Sequence, residues 1–407
     1  MRAGYLSQFF EGVAAKRLSG VEANPAQSNQ HEFNGVQGLK SLFGSEIKRE
    51  VSATFLYLSD NDDPLTADGN LTWYDARERN PQRSEYRLYF QQNQVMARAA
   101  EGDLLLVAKQ TDGRALVLVA QGGSTIANQV LWLFGVDPNT HPGFSVREDL
   151  ETDRDRIGFF TSFILDQIGV NAAVVDESYL EDMLSTFGGR FPPTKLFSEF
   201  ARNKVHGADP AADPDGTLVA WMDREETLFR TLEKHLVLDR LKVGFADDVD
   251  GFLSYSLTVQ NRRKSRAGLA LEHHVQAIFD AAHLKYDRTP LTEGRSRPDF
   301  LFPGATAYTN FAFDSSLLTM LGVKSTCKER WRQVLAEADR VERKHLLTLE
   351  AAVSENQTEE MVREKLQLVV PRGLHSTFTA AQRGWILDVA GFIRLAQERQ
   401  RRAELPL

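Results

Sequence analysis

Pro298-Asp299-Phe300-Leu301-Phe302 sets an acidic residue at the mouth of a short apolar run, and Leu321-Gly322-Val323-Lys324 sets a lysine at the end of another. Both runs have strand character, as do 346–349 and 366–370, and a helix with Trp331, Leu335 and Ala338 on its apolar side separates the second run from the third. Upstream, 218–243 and 266–284 read as helices, the latter with Leu271, Val275, Ile278, Phe279 and Ala282 on one face. The order helix, strand, strand, helix, strand, strand, helix predicts an α/β domain around a mixed sheet.

The spacing of Asp299 and Lys324 suits phosphodiester hydrolysis. That reaction requires a divalent cation to offset developing charge and to lower the pKa of the attacking water, and hard cations take carboxylate oxygens. Asp299 supplies such an oxygen, and Lys324 supplies a positive charge for the transition state. A second carboxylate is commonly found two residues before the lysine, but Gly322 occupies that place. Glu337 on the following helix and Glu272 on the preceding one are the carboxylates available instead. A Pro-Asp and a strand lysine also co-occur by chance, so the pair alone does not settle the chemistry.

The amino-terminal part has a different pattern. Residues 5–18 carry apolar positions near helical spacing and predict an opening amphipathic helix. From 51 to 136 the runs 53–58, 104–108 and 115–119 are strand-like, with Asp112-Gly113 placed for a hairpin turn. Such a succession predicts a mostly β domain over 1–150, followed by a helical connection over 151–189 and the α/β domain over 190–407. The Gly207–Gly216 region is loop by composition.

The 407 residues are 42% apolar and 26% charged, which excludes a disordered or collagenous chain. No apolar run approaches a membrane span, so the expected location is the cytoplasm. The single cysteine, Cys327, excludes an internal disulfide and a cysteine zinc cluster. A net charge of −8 confines any nucleic-acid binding to local basic patches. Adjacent His273 and His274 lack the spacing of zinc proteases, and Gln121-Gly122-Gly123-Ser124 lacks the lysine of a phosphate loop.

Longer motifs narrow the reading. Asn261-Arg262-Arg263-Lys264-Ser265-Arg266-Ala267-Gly268, Leu271-Glu272, Arg297–Pro303, Val323-Lys324-Ser325-Thr326-Cys327-Lys328-Glu329-Arg330-Trp331-Arg332-Gln333 and Glu337-Ala338-Asp339 together resemble the catalytic domain of EcoRII-type restriction endonucleases over 190–400. The resemblance implies the PD-(D/E)XK fold with its second carboxylate moved to the neighbouring helix. It implies an active site of Glu272, Asp299, Lys324 and Glu337, with Mg2+ on Asp299 and Glu337. It assigns Lys328, Glu329 and Arg330 to the adjacent C·G pairs of a palindromic CC…GG core, with Asn261 at the minor groove. That chemistry is sound in itself, since a carboxylate accepts from cytosine while lysine and arginine donate to guanine. Arg262, Arg263, Lys264 and Arg266 form a basic cluster suited to phosphates.

Lys16-Arg17-Leu18-Ser19 and the region 73–87 resemble the amino-terminal effector domain of the same endonucleases, a DNA-binding β-pseudobarrel. By that resemblance Arg77, Arg83, Glu85 and Arg87 contact a second copy of the site, although Pro81 and Tyr86 stand where relatives have basic residues. Double-stranded DNA and a second protomer are the implied partners. A cognate DNA methyltransferase is expected in the same cell, but not as a bound partner. A repair nuclease and a non-catalytic DNA-binding protein are the alternatives.

Overall fold

The computed structural model describes residues 4–23, 31–34, 36–46, 48–60, 62–78, 85–138, 143–152, 154, 156–170, 175–325, 327, 330–350 and 353–404. They fall into two compact units, Met1–Ala172 with Ser376–Thr379, and Ala173–His375 with Ala380–Leu407. Among the described residues no helix is long and apolar enough to cross a membrane.

The first unit is built on strands β1 (Phe10–Arg17), β2 (Glu32–Phe33), β3 (Lys48–Leu58), β4 (Leu65–Asp75), β5 (Tyr86–Phe90), β6 (Leu104–Gln110), β7 (Ala115–Ala120) and β8 (Ser145–Arg147). They form one sheet in the order β2-β5-β4-β3-β7-β6-β1-β8. The β3–β7 pair is parallel and the other pairs are antiparallel. Among the described residues no pairing joins β2 to β8, so the hydrogen-bonded sheet is open. The Asp112-Gly113 hairpin is present, with Gly113 at φ 86°, a conformation glycine adopts without steric cost.

The expected opening helix is a strand. A short 3-10 turn, Leu6–Gln8, leads into β1, which lies between β6 and β8 with Phe10, Val13, Ala14 and Ala15 buried. A strand covered on both faces is apolar without alternation, and a short stretch of that kind resembles one face of a helix. Helices α1 (Thr125–Phe134) and α2 (Phe159–Gln167) complete the unit. Ser124 of the Gly-Gly-Ser stretch caps α1 by accepting from the Ala127 N–H at 3.1 Å, a structural role.

The second unit begins with three helices, α3 (Leu180–Phe187), α4 (Thr194–Asn203) and α5 (Pro214–Val243). Met183, Phe197, Leu228, Phe229 and Leu232 form their shared core. The stretch 151–189 is therefore divided, with α2 in the first unit and α3 packed into the second.

Helix α6 (Val249–Ala281) leads to a mixed sheet of β9 (Asp287–Arg288), β10 (Phe300–Phe302), β11 (Thr319–Lys324), β12 (Lys344–Thr348) and β13 (Leu366–Val369). The order is β13-β12-β11-β10-β9, parallel from β11 to β13 and antiparallel at β9 and β10. The four strands expected from sequence are present. Helices α7 (Trp331–Leu335), α8 (Glu355–Arg363) and α9 (Val389–Glu404) connect and flank them. Phe279 of α6 packs edge-on to Phe300 at 5.1 Å and Phe302 at 5.4 Å, while Phe302 meets Phe392 of α9 at 5.6 Å. This aromatic core fixes β10 between two helices, and with it the residue that precedes β10.

Candidate active site

Asp299 is held from several directions before any ligand is considered. Its backbone carbonyl accepts from the Thr289 N–H at 3.2 Å, tying it to the end of β9. Its Oδ2 accepts from the Val323 N–H at 2.6 Å and from Lys324 Nζ at 2.9 Å. Because β10 and β11 are antiparallel with Phe300 opposite Leu321, the acidic residue at the start of one strand meets the lysine at the end of the other. The two residues separated in sequence are thus one hydrogen-bonded pair.

Glu337 lies just past the end of α7, its backbone N–H donating to Val334 O at 3.1 Å. It is partly buried, and burial followed by repulsion from Asp299 pushes its carboxyl up to about 7, against the pull of Lys324 and Lys344. Its Oε2 is buried with no hydrogen-bond partner among the described residues. Glu272 of α6 also sits in the field of Asp299 and Lys324. Burial, and then Asp299, raise its carboxyl, while Arg288 and Lys324 oppose the rise.

Arg288 is the residue that sequence reasoning missed. Nη2 donates to Glu272 at 2.6 Å and Nη1 to Gln276 at 2.8 Å, with His273 Nδ1 3.4 Å from the same nitrogen. One guanidinium from β9 therefore grips successive turns of α6. Arg288 lies opposite Phe300 in the β9–β10 register, one residue from Asp299. That register was the available signal, but a two-residue strand leaves no periodicity to read.

Among the described residues no three His, Cys, Asp or Glu side chains are gathered closely enough to enclose an ion. Magnesium does not require such a cage, since it usually takes one or two carboxylates and completes its shell with water and substrate phosphate. Asp299 and Glu337 match that donor set, and the orphaned Oε2 of Glu337 is the kind of buried oxygen a cation satisfies.

The remaining sequence candidates separate into groups. Lys328, Glu329 and Arg83 lie outside the described residues. Arg330 is exposed just before α7, and Asn261 is exposed on α6. Lys264 is on α6.

Arg266 is corrected from phosphate contact to structure. It is buried, 3.3 Å from the fully buried Glu225, paired also with Glu226, and stacked 4.1 Å over the Phe229 ring. Arg263 is likewise occupied, pairing with buried Glu233 at 2.7 Å, and Arg262 stacks over Phe191 at 4.3 Å. The acidic face of α5 accounts for these positions, because buried glutamates require cationic partners. His274 is fully buried with its Nε2 2.9 Å from Glu225 Oε2, so it belongs to the same helix interface.

In the first unit, Glu85 joins Arg77 at 2.5 Å to Arg87 at 3.1 Å, and Arg87 also meets Glu32 at 3.2 Å. Both arginines remain substantially exposed. Lys16 is buried against Glu22 at 2.8 Å and serves the fold.

Residues 229–393 match the model of the EcoRII C-terminal domain family. This region is EcoRII-like. All four residues Glu272, Asp299, Lys324 and Glu337 fall within it. The type II restriction enzyme EcoRII of Escherichia coli is 38% identical over 231 residues, which are 56% of this chain and 56% of that protein. The chain thus spans about half the length of the curated relative it matches. Among solved structures, metal-depleted Ecl18kI with uncleaved DNA is similar at 16% identity, covering 57% of this chain and 88% of its own, with a TM-score of 0.46. The PspGI–substrate DNA complex is similar at 15% identity, covering 52% and 94%, with a TM-score of 0.43.

Proposed function

We propose that the chain is a type II restriction endonuclease that cleaves both strands of a short palindromic site with a CC…GG core, using Mg2+. The observation that carries the proposal is the Asp299–Lys324 pair at 2.9 Å beside the unpartnered buried oxygen of Glu337. An EcoRII-like domain around these residues adds independent support.

In this reading Asp299 and Glu337 hold the cation. Bound there, Mg2+ supplies charge for the phosphorane-like transition state and a more acidic water. Lys324, fixed by Asp299, orients the attacking water and donates to the developing charge. Glu272, held by Arg288, accepts a hydrogen bond from an outer water and keeps that water oriented beside the phosphate. The PD-(D/E)XK scheme then applies with Glu337 in place of a strand carboxylate.

Lys328, Glu329 and Arg330 read base edges in the major groove and Asn261 approaches the minor groove. One active site cuts one strand, so a palindrome calls for a homodimer. The first unit, a pseudobarrel in this reading, binds a second copy of the site through Arg77, Arg83, Glu85 and Arg87 and regulates cutting. The enzyme works in the cytoplasm beside a methyltransferase that protects host DNA.

Digestion of unmethylated plasmid with Mg2+, followed by sequencing of the ends, tests the proposal. Uniform ends at one palindrome are expected. Cutting confined to mismatched or damaged DNA would replace it with the repair reading, and binding without cutting would replace it with the non-catalytic one. Stimulation of the full chain by a short uncleavable copy of the site tests the regulatory part.

A further inference from the structure

The sheet of the second unit carries a cleft away from Asp299 and Lys324. Its volume is about 430 Å³, within the range of small-molecule sites, and its lining includes Arg343, His345, Lys365, Gln367 and Arg399. His345 and Gln367 are paired at the starts of the parallel strands β12 and β13. In the next pair of strands His345 is opposite Leu321, and Lys324 lies at the other end of β11, opposite Thr348. Side chains alternate between the two faces of a strand, so Lys324, an odd number of residues beyond Leu321, points away from the face of His345. The His345 ring lies 5.2 Å from that of Phe392, which identifies its face as the one covered by α9. The cleft is therefore separate from the candidate active site.

Its lining divides by chemistry. Leu318, Leu387 and Leu395 are apolar, Ser315 and Ser316 offer hydroxyls, and Arg343, Lys365 and Arg399 are cationic. Among the described residues Glu342 is the one acid of the lining, and it is tied to Lys365 at 2.7 Å. Neither Arg343 nor Arg399 forms an ion pair with a carboxylate among the described residues.

Arg399 is the fixed point of the cluster. From α9 its Nη1 donates to Leu318 O at 2.8 Å and to Thr319 Oγ1 at 2.9 Å, which anchors it at the start of β11. Burial, then repulsion from Arg343 and Arg402, lowers its pKa, yet a guanidinium keeps its charge. Like charges gathered in a cleft repel one another until an anion comes between them. Guanidinium forks and an ammonium suit a phosphate, and the leucines suit a ring attached to it.

We infer that this cleft binds a nucleoside monophosphate, with the phosphate on Arg343, Lys365 and Arg399 and the base against Leu318, Leu387 and Leu395. A free nucleotide and a 5′-phosphorylated DNA end both present that chemistry. The inference stands apart from the nuclease reading, because none of these residues belongs to the candidate active site.

Isothermal titration calorimetry of the full chain without metal tests it. Adenosine 5′-monophosphate is expected to bind saturably, and adenosine and inorganic phosphate about ten-fold or more weaker, since each keeps only part of the contacts. Arg399→Gln should weaken the nucleotide by about ten-fold or more, the usual loss for a charge-assisted hydrogen bond. Because Arg399 also anchors β11, the variant carrying Arg343→Gln and Lys365→Gln provides a second test. Both of those residues are exposed, so its affinity should fall likewise while thermal unfolding is unchanged. A 5′-phosphorylated dinucleotide separates the two sources. Its tighter binding would uphold the cleft as a site for a DNA end, and tighter binding of the mononucleotide would uphold it as a site for a free nucleotide. Absence of saturable binding by both probes, or wild-type affinity in the variants, would overturn the inference.

Discussion

Val334 closes the space in front of Gly322. A β carbon added at Gly322 would lie 2.9 Å from Val334 Cγ2 and 3.3 Å from Cγ1. A carboxylate at this strand position would therefore have to displace α7. The helix comes this close because Trp331 and Val334 are both fully buried against the sheet. The same approach brings Glu337, three residues beyond Val334, to the end of β11. Strand glycine and helix carboxylate are two consequences of one packing choice.

Gly322→Ala is accordingly expected to destabilise the protein by about 1–3 kcal/mol, the usual cost of overpacking. Gly322→Asp should not restore activity to Glu337→Ala, since its carboxylate has no room beside Val334. Plasmid cleavage by the double variant checks this, and recovered cutting would show that the strand position is open after all.

Arg288 is expected to act through Glu272. Arg288→Ala leaves that carboxylate partly buried without its 2.6 Å donor, at a stability cost of about 2 kcal/mol. The cleavage rate should fall while DNA affinity stays near that of wild type. A double-mutant cycle with Glu272→Gln should show strong non-additivity in both stability and rate. Simple additivity would separate the two residues.

For Arg266 the buried pair with Glu225 predicts a defect in folding rather than in DNA contact. Arg266→Ala should cost about 3–5 kcal/mol by stranding a buried charge. The salt dependence of DNA binding should keep its slope, whereas loss of a phosphate contact lowers that slope by about 0.9. Urea unfolding and salt-titrated binding distinguish the two.

How legible this site was depended on what each residue touches. Asp299 and Lys324 announced themselves because each ends an apolar run whose strand character is strong. Glu337 was found through the gap at Gly322, although the reason for the gap, Val334, is a contact that sequence spacing does not display. The basic cluster misled at Arg266, because four cations within five residues look alike until the buried glutamates of α5 are seen to claim Arg263 and Arg266. The start of α6 at Val249 was also hidden, since a helix with no buried face has no core-facing stripe. The opening strand was misread for the opposite reason, its residues being buried on both sides.

His345 of β12 gives the protein an acid limit. It is fully buried, with Nδ1 3.2 Å from Met320 O and its ring 5.2 Å from Phe392. Burial, then the charge of Arg399, lowers its pKa from 6.5 to about 3. The unfolded chain takes a proton on this imidazole near pH 6.5, and the folded one does so only near pH 3. Stability from the neutral ring is therefore complete above pH 6.5 and declines as the pH falls toward 3, by about 2 kcal/mol at pH 5. Urea midpoints at pH 7.5 and 5 should converge in His345→Leu relative to wild type. An unchanged pH dependence in that variant would assign the acid sensitivity to other groups.

The most direct measurement of the central claim is Mg2+-dependent cutting of supercoiled plasmid by Asp299→Asn, Lys324→Gln and Glu337→Gln, alongside binding of the same DNA without metal. If the three residues form one catalytic site, each variant binds DNA as wild type does and cuts it slower by about 100-fold or more. Near-normal cutting by Glu337→Gln would contradict the account.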